Sequence, residues 1–102
     1  MKTTAQILVV DDEPIIRDSL AEYLTANGFA VRTVGNGEEA LVLVGKERFD
    51  VVLCDVNLPG LDGIDVLDRV GQVSPETFVL LITAYATVER RSRRFKRALT
   101  II

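Results

Sequence analysis

Little in this sequence points away from a reducing, aqueous compartment. No apolar run approaches membrane-spanning length, and no signal peptide precedes the first apolar stretch at Ile7. The expectation is a cytoplasmic protein that makes no membrane contact. A single cysteine, Cys54, lies inside an apolar run, so no disulfide framework can form. Internal repeats, linkers and low-complexity tracts are absent too, and 102 residues suffice for one small domain. Acidic residues are missing from one region only. Residues 90–102 hold six of the 12 basic side chains (Arg90, Arg91, Arg93, Arg94, Lys96, Arg97) and none of the 15 acidic ones, which leaves residues 1–89 at −9 beneath an overall −3. The chain is an acidic body with a basic tail.

What is present is a regular alternation. Ile7 to Val10 is a continuous apolar run of the kind buried on both faces of a sheet. Pro14 suits the first turn of a helix, Ile16, Leu20 and Leu24 recur at helical spacing, and Gly28 is a stop. Phe29 to Val34 reads as a second strand. Asn36 with Glu39 resembles an N-cap and its reciprocal acid, ahead of a helix with Ala40, Leu41 and Val44 inward. Val51 to Asp55 is a third strand, Ile64 to Val70 a short helix with Ile64, Leu67 and Val70 inward, and Ser74-Pro75 a break. Phe78 to Ile82 is a fourth strand. An apolar fraction of 48% fits a packed core. Strands and helices alternating at these spacings predict an α/β domain on a parallel sheet.

In such sheets ligands bind beyond the carboxyl ends of the strands. The first strand delivers Asp11 and Asp12 there, the third Asp55, and the fourth Thr83. Each has a plainer reading: Asp55 as a turn former, Asp11 and Asp12 as helix caps, Thr83 as strand-end filler. Asp55-x-Asn57 also opens an EF-hand loop, but the next ligand position is Pro59 and the bidentate Glu position is Val66. An aspartyl phosphatase of the haloacid dehalogenase type requires an acid where this chain has Asn57. Three clustered carboxylates repel, by roughly 1 kcal/mol per pair at 4 Å in water and about 4 near a protein surface. A hard cation relieves this. Magnesium takes one or two carboxylates, keeps several waters and leaves room for phosphate oxygens, and Thr83 would donate to a phosphoryl oxygen.

ILVVDDEP at 7–14, VVLCDVNLPGLDG at 51–63 and LLITAYATVE at 80–89 together resemble the receiver domain of bacterial two-component response regulators. The wording of the third motif is most similar to regulators that drive sigma-54-dependent transcription. The resemblance spans residues 5–89 and implies a flavodoxin-like fold with strand order 2-1-3-4-5. It further implies that Asp55 accepts a phosphoryl group from a sensor histidine kinase. Asp12, Asp11, Asp55 and the main-chain carbonyl of Asn57 would hold Mg2+ (or Mn2+), and Thr83 would act as the switch. Nucleic-acid contact is expected only through an output domain outside this chain.

Two family features have no counterpart here. The lysine that follows a fifth strand would fall beyond Ile102, and so would a fifth helix, so the fifth strand and helix are expected to be incomplete or missing. Self-association through the C-terminal region is therefore expected, and a receiver-like binding module that does not switch is the alternative function. The tail itself is a third thread, since basic runs attract phosphate backbones. Residues 90–102 read as aberrant beside a native-like 5–89. With GC-rich codons, one adenine restored before Arg90 turns them into TAVEALQAGAHDY, which has helical apolar spacing, a Gly stop and a strand start. An out-of-frame tail is thus the expectation. Sequencing the encoding DNA should show a frame in which a one-base restoration after Glu89 recovers that string, and a gene without one contradicts it.

Overall fold

The strand run Gln6–Val10 (β1) is buried from Ile7 onward and lies at the centre of the sheet. The chain continues as α1 (Pro14–Ala26), β2 (Ala30–Val34), α2 (Gly37–Lys46), β3 (Val51–Asp55), α3 (Gly63–Val73), β4 (Phe78–Ile82) and β5 (Ala98–Ile101). The computed structural model describes residues 4–82 and the backbone of 98–101. Thr83, the arginine-rich stretch 90–97 and Ile102 lie outside them. All strand pairs are parallel, in the order β2-β1-β3-β4-β5. This is the flavodoxin-like topology that the resemblance implies.

Alternation along the strands decides which layer each side chain joins. Leu8 and Val10 of β1, Val52 and Cys54 of β3, and Val79 and Leu81 of β4 enter one core with Ala40 and Val44 of α2 and Ile64, Leu67 and Val70 of α3. Ile7 and Val9 turn the other way, toward the side where α1 packs on β1 and β2. Val51, Leu53 and Asp55 share that second side and are only half-buried. No residue of α1 is fully buried.

The helix ends follow from their residues. After Ala26, Gly28 N–H donates to Thr25 O (3.0 Å) and Phe29 N–H to Leu24 O (3.2 Å), with Gly28 at φ +94°. This Schellman closure uses the backbone N–H of Phe29, which is why β2 begins at Ala30 and not at Phe29 as the sequence suggests. Asn36 Oδ1 accepts the Glu39 N–H at 2.8 Å as expected, but Glu39 returns no bond to the cap. The full reciprocal box belongs to α3 instead: Asp62 Oδ1 accepts from Asp65 N (2.9 Å) and Asp65 Oδ2 from Asp62 N (3.1 Å). The strengthened start accompanies a helix that runs three residues past Val70, to Val73. β5 is short, as expected, yet it pairs with β4 from Val79↔Ala98 to Ile82↔Ile101. The apolar, partly β-branched run Ala98-Leu-Thr-Ile suits a strand, so β4 is not the sheet edge.

One buried hydroxyl ties the base of the sheet together. Thr77 Oγ1 donates to Phe49 O at 2.7 Å, so the 2.7 Å contact with Ser74 Oγ must have Ser74 as donor. Glycine matters most at Gly63, where a Cβ would meet Asp55 O and Val56 Cα, both at 2.7 Å. The start of α3 is thereby pressed onto the strand end that carries Asp55. At Gly45 and Gly71, within α2 and α3, a Cβ would meet nothing within 4 Å. Gly45→Ala and Gly71→Ala are therefore expected to stabilise the domain by about 0.5–1 kcal/mol each, and Gly63→Ala to destabilise it by about 1–3 kcal/mol. Urea unfolding of the three variants checks the opposite signs.

Candidate functional site

β1 and β3 are neighbours, with Val10 opposite Cys54, so the next residue on each brings Asp11 beside Asp55. Asp11 is 5% exposed and still held in the sheet, its N–H donating to Val34 O at 3.2 Å. Its Oδ1 accepts the Glu13 N–H at 2.9 Å, a tight local turn that leads into Pro14 of α1. Asp12 is exposed on that turn. At the end of β3, Asp55 Oδ1 accepts the Asn57 N–H at 3.1 Å. Val56 and Leu58 flank Asn57 and are both buried, which leaves Asn57 on the open side.

Asp11, Asp12 and Asp55 each offer a carboxylate oxygen within 4.8 Å of the others. They line an open cleft of about 440 Å³ together with Glu13, Ile16, Asn57 and Ile82. Four of the predicted site residues therefore converge, and Thr83, next after Ile82, lies outside the described residues. Helical spacing assigns Ile16 to the apolar stripe of α1, but it is 43% exposed at the cleft while Leu20 and Leu24 are half-buried. Glu13, Ile16 and Ile82 are lining residues that sequence reasoning missed. The available signal for Ile16 was its spacing, one helical turn after Asp12.

No arginine or lysine lines this cleft among the described residues. Burial, and after it the charges of Asp55, Asp12 and Glu13, holds the Asp11 carboxyl above its usual range, against the opposing hydrogen bond from Glu13 N–H. A hard, all-oxygen donor set with uncompensated negative charge fits Mg2+ or Mn2+. Cys54 is no competitor as a nucleophile. Its side chain is fully buried in the core, and burial, followed by the charges of Asp55, Asp11 and Asp62, pushes the thiol up and keeps it neutral. A hollow of about 470 Å³ at the amino ends of the strands (Thr4, Gln6, Glu47, Arg48, Asp50) gathers no comparable cluster.

A parallel 2-1-3-4-5 sheet with carboxylates gathered at the carboxyl ends of two adjacent strands places the chain among flavodoxin-like α/β domains, with a candidate cation site where such sheets bind ligands. The chain belongs to the response regulator receiver domain family, whose model matches residues 7–99. It is a phosphoacceptor domain of two-component signal transduction, and the alternative of a receiver-like binding module is not favoured. Among its relatives, the probable transcriptional regulatory protein TcrX of Mycobacterium tuberculosis is 40% identical over 85 residues, covering 83% of this chain and 36% of that protein. Sporulation initiation phosphotransferase F of Bacillus subtilis is 39% identical over 84 residues, covering 82% of this chain and 68% of the relative. The response regulator TrrA of Thermotoga maritima, solved in complex with Mg2+–BeF, superposes with a TM-score of 0.86 at 34% identity, over 97% of this chain and 86% of that one. The chain spans about a third of TcrX and 9% of the sensor histidine kinase RcsC of Escherichia coli. Among the described residues, no helix is long and apolar enough to cross a membrane.

The raised Asp11 carboxyl makes the metal-free fold sensitive to pH in a definite sense. The folded state holds this proton more tightly than the unfolded state, so this contribution to stability falls as pH rises from the ordinary value of 3.8 through the folded one. Asp11→Asn keeps an oxygen for the Glu13 N–H and removes one charge. It is expected to stabilise the metal-free domain at neutral pH by about 1 kcal/mol or more, the in-water repulsion of one pair at 4 Å, and to weaken Mg2+ binding. Thermal melts with and without Mg2+ check both: wild type should gain stability from the ion, the variant little.

Proposed function

We propose that Asp55 is the phosphoacceptor of this domain, with Mg2+ held by Asp11, Asp12 and Asp55 and by the main-chain carbonyl of Asn57. The convergence of three carboxylates within 4.8 Å at adjacent strand ends carries this reading. The Asn57 N–H engages Asp55 Oδ1 at 3.1 Å and leaves Oδ2 as the attacking oxygen. An oxygen–phosphorus bond forms to Asp55, and the bond from phosphorus to the donor's leaving atom breaks with its electron pair. When bound, Mg2+ supplies the positive charge that offsets both the carboxylates and the transferred group. Glu13 N–H fixes the Asp11 carboxylate, while Ile16 and Ile82 give the cleft an apolar rim. Thr83 follows the rim residue Ile82 and would donate its hydroxyl to a phosphoryl oxygen as the switch.

The physiological donor in this reading is the phosphohistidine of a sensor histidine kinase, and the compartment is the cytoplasm. Any nucleic-acid contact would be made by an output domain outside this chain. Self-association through the C-terminal region belongs to the same reading. Its support is that β5 pairs on one side, with β4, among the described residues, and that Phe78 is 55% exposed.

Acetyl phosphate with and without Mg2+ tests the assignment, read by intact-protein and peptide mass spectrometry. One phosphoryl group is expected, on Asp55 alone, dependent on the divalent ion and abolished in Asp55→Asn. Phosphate mapped elsewhere, or undiminished without the ion, refutes it. Sedimentation of the same samples across a dilution series reports whether copies associate.

A further inference from the structure

Arg17 is the only basic residue of α1, it is half-buried, and it forms no ion pair among the described residues. The carboxylates of Asp11 and Asp12 are close in the chain, yet its Nη1 donates instead to the main-chain carbonyl of Asp11, at 3.0 Å. The local fold makes room for this. A Cβ at Gly35, just past the end of β2, would stand 3.1 Å from Nη1. Arg17 is not among the residues lining the cleft.

That carbonyl belongs to the peptide joining Asp11 to Asp12. On its other side Asp11 is fixed by its N–H to Val34 O (3.2 Å). Beyond it the turn is held by the Glu13 N–H on Asp11 Oδ1 (2.9 Å), with no side-chain cap bond from the N-cap residue Glu13. The Arg17 contact is therefore the one side-chain hold on the Asp11–Asp12 peptide itself among the described residues. Arg17 thus fastens the one peptide whose orientation sets where both carboxylates project. Groups that hold metal ligands in place typically change affinity by about 10–100-fold when removed.

We infer that Arg17 is a positioning residue for the cation site: by clamping the Asp11–Asp12 peptide through its carbonyl, it holds the two carboxylates at the cleft. This rests on the proposed metal reading. The sign of its effect separates positioning from charge. A guanidinium near a cation site repels the cation, so if charge alone mattered, removing it would tighten binding. Loss of a clamp weakens it.

The test is Mn2+ binding to the full chain, with free ion counted by electron paramagnetic resonance. The proteins are wild type, Arg17→Met, Arg17→Lys and, as a control that loses a remote buried hydroxyl, Thr77→Val. Arg17→Met is expected to raise the Mn2+ dissociation constant about 10-fold. Arg17→Lys, which keeps a charged donor one bond shorter, should recover part of the affinity, and Thr77→Val should leave it unchanged. Unchanged or tighter binding in folded Arg17→Met overturns the inference. Should that variant fail to fold, Arg17→Gln decides, because it keeps a polar side chain but ends two atoms short of Nη1: weaker binding supports the clamp and unchanged or tighter binding overturns it. Wild type that binds no Mn2+ sinks the metal reading itself.

Discussion

Mutual repulsion among Asp11, Asp12 and Asp55 is the constraint around which this domain is arranged. Three carboxylates within 4.8 Å work against the fold, and one of them is almost fully buried. Nothing basic in the described cleft offsets them. A fold of small net stability tolerates this only because the surrounding elements hold each acid in place by other means. Parallel pairing of β1 and β3 brings the strand ends level, and main-chain N–H groups of Glu13 and Asn57 each take one carboxylate oxygen. The apolar alternation through Cys54, Val56 and Leu58 anchors the chain on either side of Asp55. Gly63 then lets α3 close against that strand end.

The same constraint accounts for the choice of ligand. Charge that the protein leaves uncompensated is charge available to a cation and, through it, to a phosphoryl group. An ion pair between Arg17 and Asp11 would have quieted the site at the cost of its function. The arginine is bonded to a carbonyl instead and is not among the residues that line the cleft. The raised Asp11 carboxyl and the carbonyl-bound guanidinium are thus two consequences of one arrangement.

Much of this was legible in the sequence, and for definite reasons. Continuous apolar runs ending in acids marked β1 and β3 and put Asp11, Asp12 and Asp55 at strand ends, because position in a parallel sheet follows from strand order alone. Asn36 and Ser74-Pro75 marked boundaries by local chemistry that tertiary contacts do not override. Other features needed coordinates. Phe29 looks like strand, yet its N–H is taken by the end of α1. Ile16 looks like core, yet among the described residues α1 packs mainly on β2 and β1, and Ile16 in its first turn lies at the cleft. The Asp62–Asp65 box was readable as a spacing but easily overlooked between Gly60 and Gly63. Arg17 carried no signal at all, since a lone arginine on a helix is ordinarily a solvated charge. Thr83 and the basic stretch 90–97 lie outside the described residues, so the structure adds nothing to those readings.

Family membership and the superposition on a Mg2+–BeF complex fix the class of the domain, while the roles of individual residues rest on the geometry of this chain. The central claim is that the strand-end carboxylates form one site in which phosphoryl-group recognition requires the cation. Beryllofluoride, a stable mimic of a phosphoryl group, tests that without any turnover. Fluorine NMR of the protein with beryllofluoride should show a bound signal that appears only when Mg2+ is present and is lost in Asp55→Asn. A bound signal that persists without the ion, or in the variant, would contradict the account.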